Sequence, residues 1–137
     1  MRNYLVISHG RLADGIVDTL KLFLGENHKV KSISAFVYEN QDIDQEIRDF
    51  FAGISPDDDT IVFSDIFGGS VHQKVMAYID LPNTYLIAGV NLPTVLQFAL
   101  LSEDDPLTEE LIQETVDKLK ESIVFTRNTD ADQDFDE

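Results

Sequence analysis

The 137-residue chain has no cysteine, and its 10 lysines and arginines face 26 aspartates and glutamates. Without cysteine there can be no disulfide, no thiolate zinc site and no cysteine nucleophile. A reducing compartment fits that composition. The shortage of basic residues leaves a formal net charge of -16, which repels phosphate backbones and anionic lipid headgroups. Nucleic acid and membrane surfaces are therefore not expected as partners. Long apolar runs are missing too. The run Tyr4 to Ile7 is too short for a signal-peptide core, and no stretch is long enough to span a bilayer. A cytoplasmic location is the expectation.

What the chain does have is apolar content of 43%, enough to fill one core, and 26% charged residues, as expected of a soluble domain. The length suits a single domain. Residues 1–126 are expected to form it. Residues 127–137, acidic with one aromatic, read as a disordered tail.

Along the chain, short apolar runs alternate with segments of helical periodicity. Strands are expected at 3–8, 30–37, 60–65 and 84–90, with a short last one at 122–126. Helices are expected at 11–25, 42–53, 68–80 and 92–102, and from a cap at Asp105-Pro106 to about residue 121. The weak alternation of 30–37 suits a strand near a sheet edge. This order predicts an α/β fold, a doubly wound, mostly parallel sheet with helices on both faces and strand order 2-1-3-4. In such sheets the ligand crevice lies beyond the carboxyl ends of the strands, where strand order reverses. That point falls between the first and third strands. Their exits are Ser8-His9-Gly10 and Asp65-Ile66-Phe67-Gly68-Gly69-Ser70.

A histidine there can act as a base, a metal ligand or a phosphoryl acceptor. No HxxxH or similar pairing surrounds His9, which argues against a metal. A serine nucleophile at Ser8 or Ser70 lacks the G-x-S-x-G elbow. The remaining arrangement pairs His9 with Asp65. A carboxylate that accepts one ring N–H fixes the tautomer and leaves the other nitrogen free to attack. Gly68 and Gly69 let the backbone approach closely, and Ser70 adds a hydroxyl at a helix start, so the three form a candidate phosphate cradle. Each residue taken singly has a plainer reading. His9 could be a loop residue, Asp65 a turn cap, Gly68-Gly69 a turn, and Ser70 with Gln73 a capping box. It is their meeting at the switch point that favours the functional reading. His28 reads as exposed. His72 reads equally as a helix-surface residue or as part of the site's lining. Asp57-Asp58-Asp59 reads as a solvated turn at the far end of the sheet, and Glu103-Asp104-Asp105 as a loop near the site's rim.

The segments SHGRLADG, DIFGGSVHQ, IAGVNLP and DDP together resemble the mannose-type enzyme IIA proteins of the bacterial phosphoenolpyruvate-dependent sugar phosphotransferase system. The resemblance covers nearly the whole chain. It implies a phosphotransferase with a phosphohistidine intermediate. His9 would be phosphorylated on Nε2, Asp65 would hold the other ring nitrogen, and Ser70 with nearby amides would bind the phosphoryl group. The phosphocarrier protein HPr would donate and an enzyme IIB would accept. The last short strand would be exchanged in a homodimer, and contact with the membrane would be only indirect, through the transporter. No cofactor or metal is expected. Where the family has GGSPFN, this chain has Val71, His72 and Gln73 after Ser70, a change that bears on helix-start geometry and partner specificity. With no IIB domain behind the tail, a free-standing IIA is expected. The alternatives are the related phosphoryl-donor subunit of a dihydroxyacetone kinase, a receiver-like domain phosphorylated on Asp65, and a flavodoxin-shaped binding module.

Overall fold

In the computed structural model, which describes residues 1–127, the sheet is built outward from its most apolar strand. That strand, β1 (Arg2–His9), has Leu5, Val6 and Ile7 wholly buried. A strand buried on both faces must lie inside a sheet covered on both sides. It pairs in parallel with β2 (Val30–Ala35) on one side and β3 (Asp59–Ser64) on the other, and β3 pairs with β4 (Thr84–Ala88). The resulting order, β2-β1-β3-β4, is the one the alternation predicts. β2 is an edge strand, as its weaker alternation suggests.

The pleat sends alternate residues to opposite faces. Leu5, Ile7, Ile33, Ala35 and Val62 form one core with Ile43 and Ile47 of α2 (Ile43–Ala52) and with Val71 and Val75 of α3 (Ser70–Met76). The opposite face carries Tyr4 and Phe63. Phe63 meets Phe98 of α4 (Leu92–Leu100) at a ring separation of 5.8 Å. α1 (Leu12–Leu24) packs on β1, β2 and α4 through its buried stripe of Ala13, Ile16 and Leu20. Full burial of one such aliphatic or aromatic side chain contributes about 1.5–3 kcal/mol.

Helix starts follow local chemistry. Asp42 caps α2 by accepting from the Gln45 amide, and Asn91 caps α4 by accepting from Thr94. α1 has no cap residue of its own. Ser8, still in β1, supplies one by accepting from the Ala13 amide at 2.7 Å, so Ser8 is wholly buried structure.

Contacts divide the chain after Leu107 into two units. The second contains α5 (Glu109–Leu119), whose cap is Thr108, accepting from the Leu111 amide. The expected cap at Asp105-Pro106 is corrected by that finding. Thr108 offers a hydroxyl at the right spacing, and Pro106 precedes the helix. Lys120–Ser122 is a 3-10 turn, and residues 123–127 form no strand in the single chain. Their apolar side chains are bare, with Ile123 81%, Val124 71% and Phe125 79% exposed. The tail reading, apart from Arg127, falls on 128–137, outside the described residues. Among the described residues no helix is long and apolar enough to cross a membrane.

Candidate functional site

The register of β1 with β3 pairs Ile7 with Ser64. His9, the last residue of β1, and Asp65, the first residue beyond β3, therefore come together at the carboxyl edge. One oxygen of Asp65 holds His9 twice. It accepts the His9 backbone N–H at 2.8 Å and faces the ring Nδ1 at 3.0 Å. The other oxygen accepts the Ile66 amide at 3.0 Å. With both its backbone and its ring tied to one carboxylate, His9 has its Nδ1 edge directed at Asp65.

Partial burial pushes the Asp65 carboxyl pKa up. The hydrogen bonds from the His9 amide and ring, together with the ring's charge, push it down further, and the net shift is downward. An ionised carboxylate only accepts, so Nδ1 must carry the proton. In the neutral ring Nε2 then holds a lone pair. Ser70 Oγ lies 3.0 Å from Nε2 and in that state donates to it. The Asp65 side chain is 9% exposed and that of His9 37%, so the more covered partner orients and the more open one faces outward.

The turn between β3 and α3 explains the two glycines differently. Gly68 has φ +76, a left-handed conformation that glycine adopts without penalty. Gly69 caps α3 with extended backbone. A Cβ there would stand 3.3 Å from His9 Cε1, so the missing side chain is what lets this turn approach the imidazole. Ser70 is thus the first helical residue, not the cap, and its hydroxyl goes to His9 rather than into a capping box.

His9, Asp65, Gly69 and Ser70 therefore meet, with Gly68 shaping the turn that delivers them. Other expectations are corrected. His72 is not on a helix surface. It is 6% exposed, with Nδ1 3.2 Å from Ser64 Oγ and its ring 5.2 Å from that of Phe67. α3 turns its second residue after Ser70 inward, onto the end of β3. Nor is His28 simply exposed. Its Nε2 donates to the Val17 carbonyl at 2.9 Å and its Nδ1 accepts from Val30 at 3.2 Å, pinning the start of β2 to α1. Glu103-Asp104-Asp105 is not at the site's rim, because Glu103 accepts from the Arg2 amide at the opposite end of β1.

One neighbour of His9 carries no clear signal in the sequence. The Phe36 ring stacks on the imidazole with centroids 5.6 Å apart and planes inclined by 29°. Its φ is +61, a conformation that costs a bulky L-residue about 1–3 kcal/mol. The sequence signal was slight: an aromatic at a strand exit that is not needed to extend the strand.

Residues 3–116 match the family of PTS system fructose IIA components, EIIA-man. The mannose-specific EIIAB component of the Escherichia coli K12 PTS is 25% identical over 118 residues, 85% of this chain and 36% of that protein. The chain thus spans 36% of the length of the curated relatives it matches. A Klebsiella pneumoniae structure described as a phosphoenolpyruvate-dependent sugar phosphotransferase system permease is 34% identical, with TM-score 0.83 and 93% of each chain covered. The PTS IIA protein associated with the fucose utilization operon of Streptococcus pneumoniae shares the fold at 22% identity, with TM-score 0.76, covering 90% of this chain and 92% of that one.

Proposed function

The chain belongs to the family of PTS system fructose IIA components, and from that premise we propose that it carries a phosphoryl group on His9 during sugar uptake. Phospho-HPr donates the group and an enzyme IIB receives it. The observation that carries this reading is the pair of contacts on one ring, Nδ1 on Asp65 at 3.0 Å and Nε2 beside Ser70 at 3.0 Å.

The step balances without a cofactor. The Ser70 hydroxyl turns away from Nε2, and the Nε2 lone pair attacks phosphorus. As the N–P bond forms, the bond between phosphorus and the donor breaks, and its electron pair stays with the donor. The ring gains positive charge and keeps its Nδ1 proton, which Asp65 stabilises at contact distance. Ser70 then donates to a phosphoryl oxygen. Transfer to IIB is the same displacement in reverse.

We assign residues 1–126 to this phosphotransfer domain and place it in the cytoplasm. The bare run Ile123 to Phe125 supports the exchange of a last strand in a homodimer, because pairing onto a partner's sheet edge would cover it. Removing residues from 122 onward should dissociate the dimer in sizing experiments at micromolar concentration, and removing only 129 onward should not. A monomeric full-length chain would overturn this assembly.

The function is tested with labelled phosphoenolpyruvate, enzyme I and HPr. The expected product is an acid-labile, base-stable label at His9 that His9→Ala does not acquire. A base-labile, hydroxylamine-sensitive label at Asp65 would point instead to a receiver-like protein.

A further inference from the structure

We propose that Phe36 is a positioning residue for phosphoryl transfer, holding the plane of the His9 ring at the moment when Ser70 must release it. The inference rests on the phosphocarrier reading above.

Three observations carry it. Phe36 is a non-glycine residue in the left-handed region, with φ +61, and is 56% exposed. Burial therefore does little to offset its strain, and a role in core packing does not account for it. Its ring lies 5.6 Å from the imidazole in a stacked arrangement. The loop that holds it there is braced. Gln41 accepts from the Val37 amide at 3.0 Å and donates to the Ser34 carbonyl at 2.8 Å and to Glu46 at 2.7 Å. Ala35, just before Phe36, pairs with His9 in the sheet, and its carbonyl accepts from Gly10 at 2.7 Å. Strain persists where surrounding contacts over-determine the backbone, and such sites cluster at functional positions.

The chemistry says what a stacked ring adds. The Ser70 hydrogen bond occupies the Nε2 lone pair, which phosphorus must use. It is lost in the reacting geometry, and the imidazole is then held in its plane by the Asp65 bond at Nδ1 alone. That single bond leaves a swing of the ring open. A contact on the face of the ring is perpendicular to the lone pair, so it restrains the swing without competing for the electrons. Misplacing a nucleophile by even a small distance is costly in rate.

The test compares wild type, Phe36→Gly and Phe36→Tyr. Glycine tolerates the left-handed backbone and removes the ring, while tyrosine restores it. Phe36→Gly should melt at or near the wild-type temperature, yet take up phosphoryl from phospho-HPr about tenfold more slowly. The His9 ring-proton resonances should move as the neighbouring ring current disappears. Phe36→Tyr should recover both the rate and the shifts. A Phe36→Gly protein that transfers at the wild-type rate overturns the inference while leaving the phosphocarrier reading intact, and so does a slow one that Phe36→Tyr does not rescue. A wild-type protein that takes no label from phospho-HPr overturns both.

Discussion

The two ends of the sheet use similar materials to opposite effect. Each places a cationic or protonatable side chain of β1 beside a carboxylate near β3. At the amino end, Arg2 is 2% exposed. Its backbone N–H donates to Glu103 at 2.8 Å, and its guanidinium donates to the Leu101 carbonyl at 3.5 Å and to the Asp105 carbonyl. Its Nε lies 3.7 Å from Asp59. Nearby, the Tyr4 hydroxyl is pushed up in pKa chiefly by burial. At the carboxyl end, His9 stands half open with one partly buried carboxylate behind it. A permanently charged fork sunk among carbonyls closes one end of the domain. At the other end a partly open ring is aimed by one carboxylate and touched by Ser70 and Phe36, which on the proposed reading leaves it free to take up and release a phosphoryl group. What separates fold chemistry from transfer chemistry here is not residue class but whether the partners surround the group or only aim it.

That contrast can be broken by substitution. The largest effect belongs to the aiming carboxylate. Asp65→Asn keeps the size, removes the charge and weakens control of the tautomer. Transfer from phospho-HPr should slow by about 10²-fold or more, short of the ~10⁴ that loss of the orienting aspartate costs a serine-protease triad. A wild-type rate in rapid-quench transfer assays would reduce Asp65 to a turn cap.

Next comes the closing end. Arg2→Met retains an apolar stem and removes the guanidinium from its buried partners. Urea unfolding should show a loss of about 3 kcal/mol, with the transfer rate of the folded fraction unchanged. If this variant slows transfer while staying as stable as wild type, the division of labour between the two ends is wrong.

The smallest effect is a pH dependence. The Asp65 carboxyl lies below its ordinary 3.8 when folded. Its ionised form therefore adds stability above that value, and the contribution is lost as pH falls through the lower folded value. Wild type should exceed Asp65→Asn in urea midpoint near neutral pH. The gap should narrow in acid below about pH 4. A gap that widens in acid would reverse the sign assigned to this pair.

Much of this was legible in the sequence for identifiable reasons. Strand order follows from the β-α alternation, and His9, Asp65 and Ser70 stand at strand exits that the topology forces together. Other features depend on three-dimensional detail that residue type does not encode. Nothing about phenylalanine suggests a left-handed backbone, so the pattern of 30–37 extends a strand through Phe36, whereas β2 ends at Ala35. The inward turn of His72 needs the Ser64 hydroxyl, eight residues earlier at the end of β3. Arg2 looks like a surface charge until carbonyls about a hundred residues later fold over it. The run Ile123 to Phe125 has strand composition but forms no strand among the described residues.

The shared oxygen of Asp65 has one more consequence. Because it grips both the main chain and the ring of His9, it ties the direction of the imidazole to the pairing of two strands far apart in sequence. A slip of one residue between β1 and β3 would turn every side chain to the other face and carry His9 away from Asp65. If His9 carries phosphoryl as proposed, the share of refolded molecules that take up the label should track the share whose strands met in the right register.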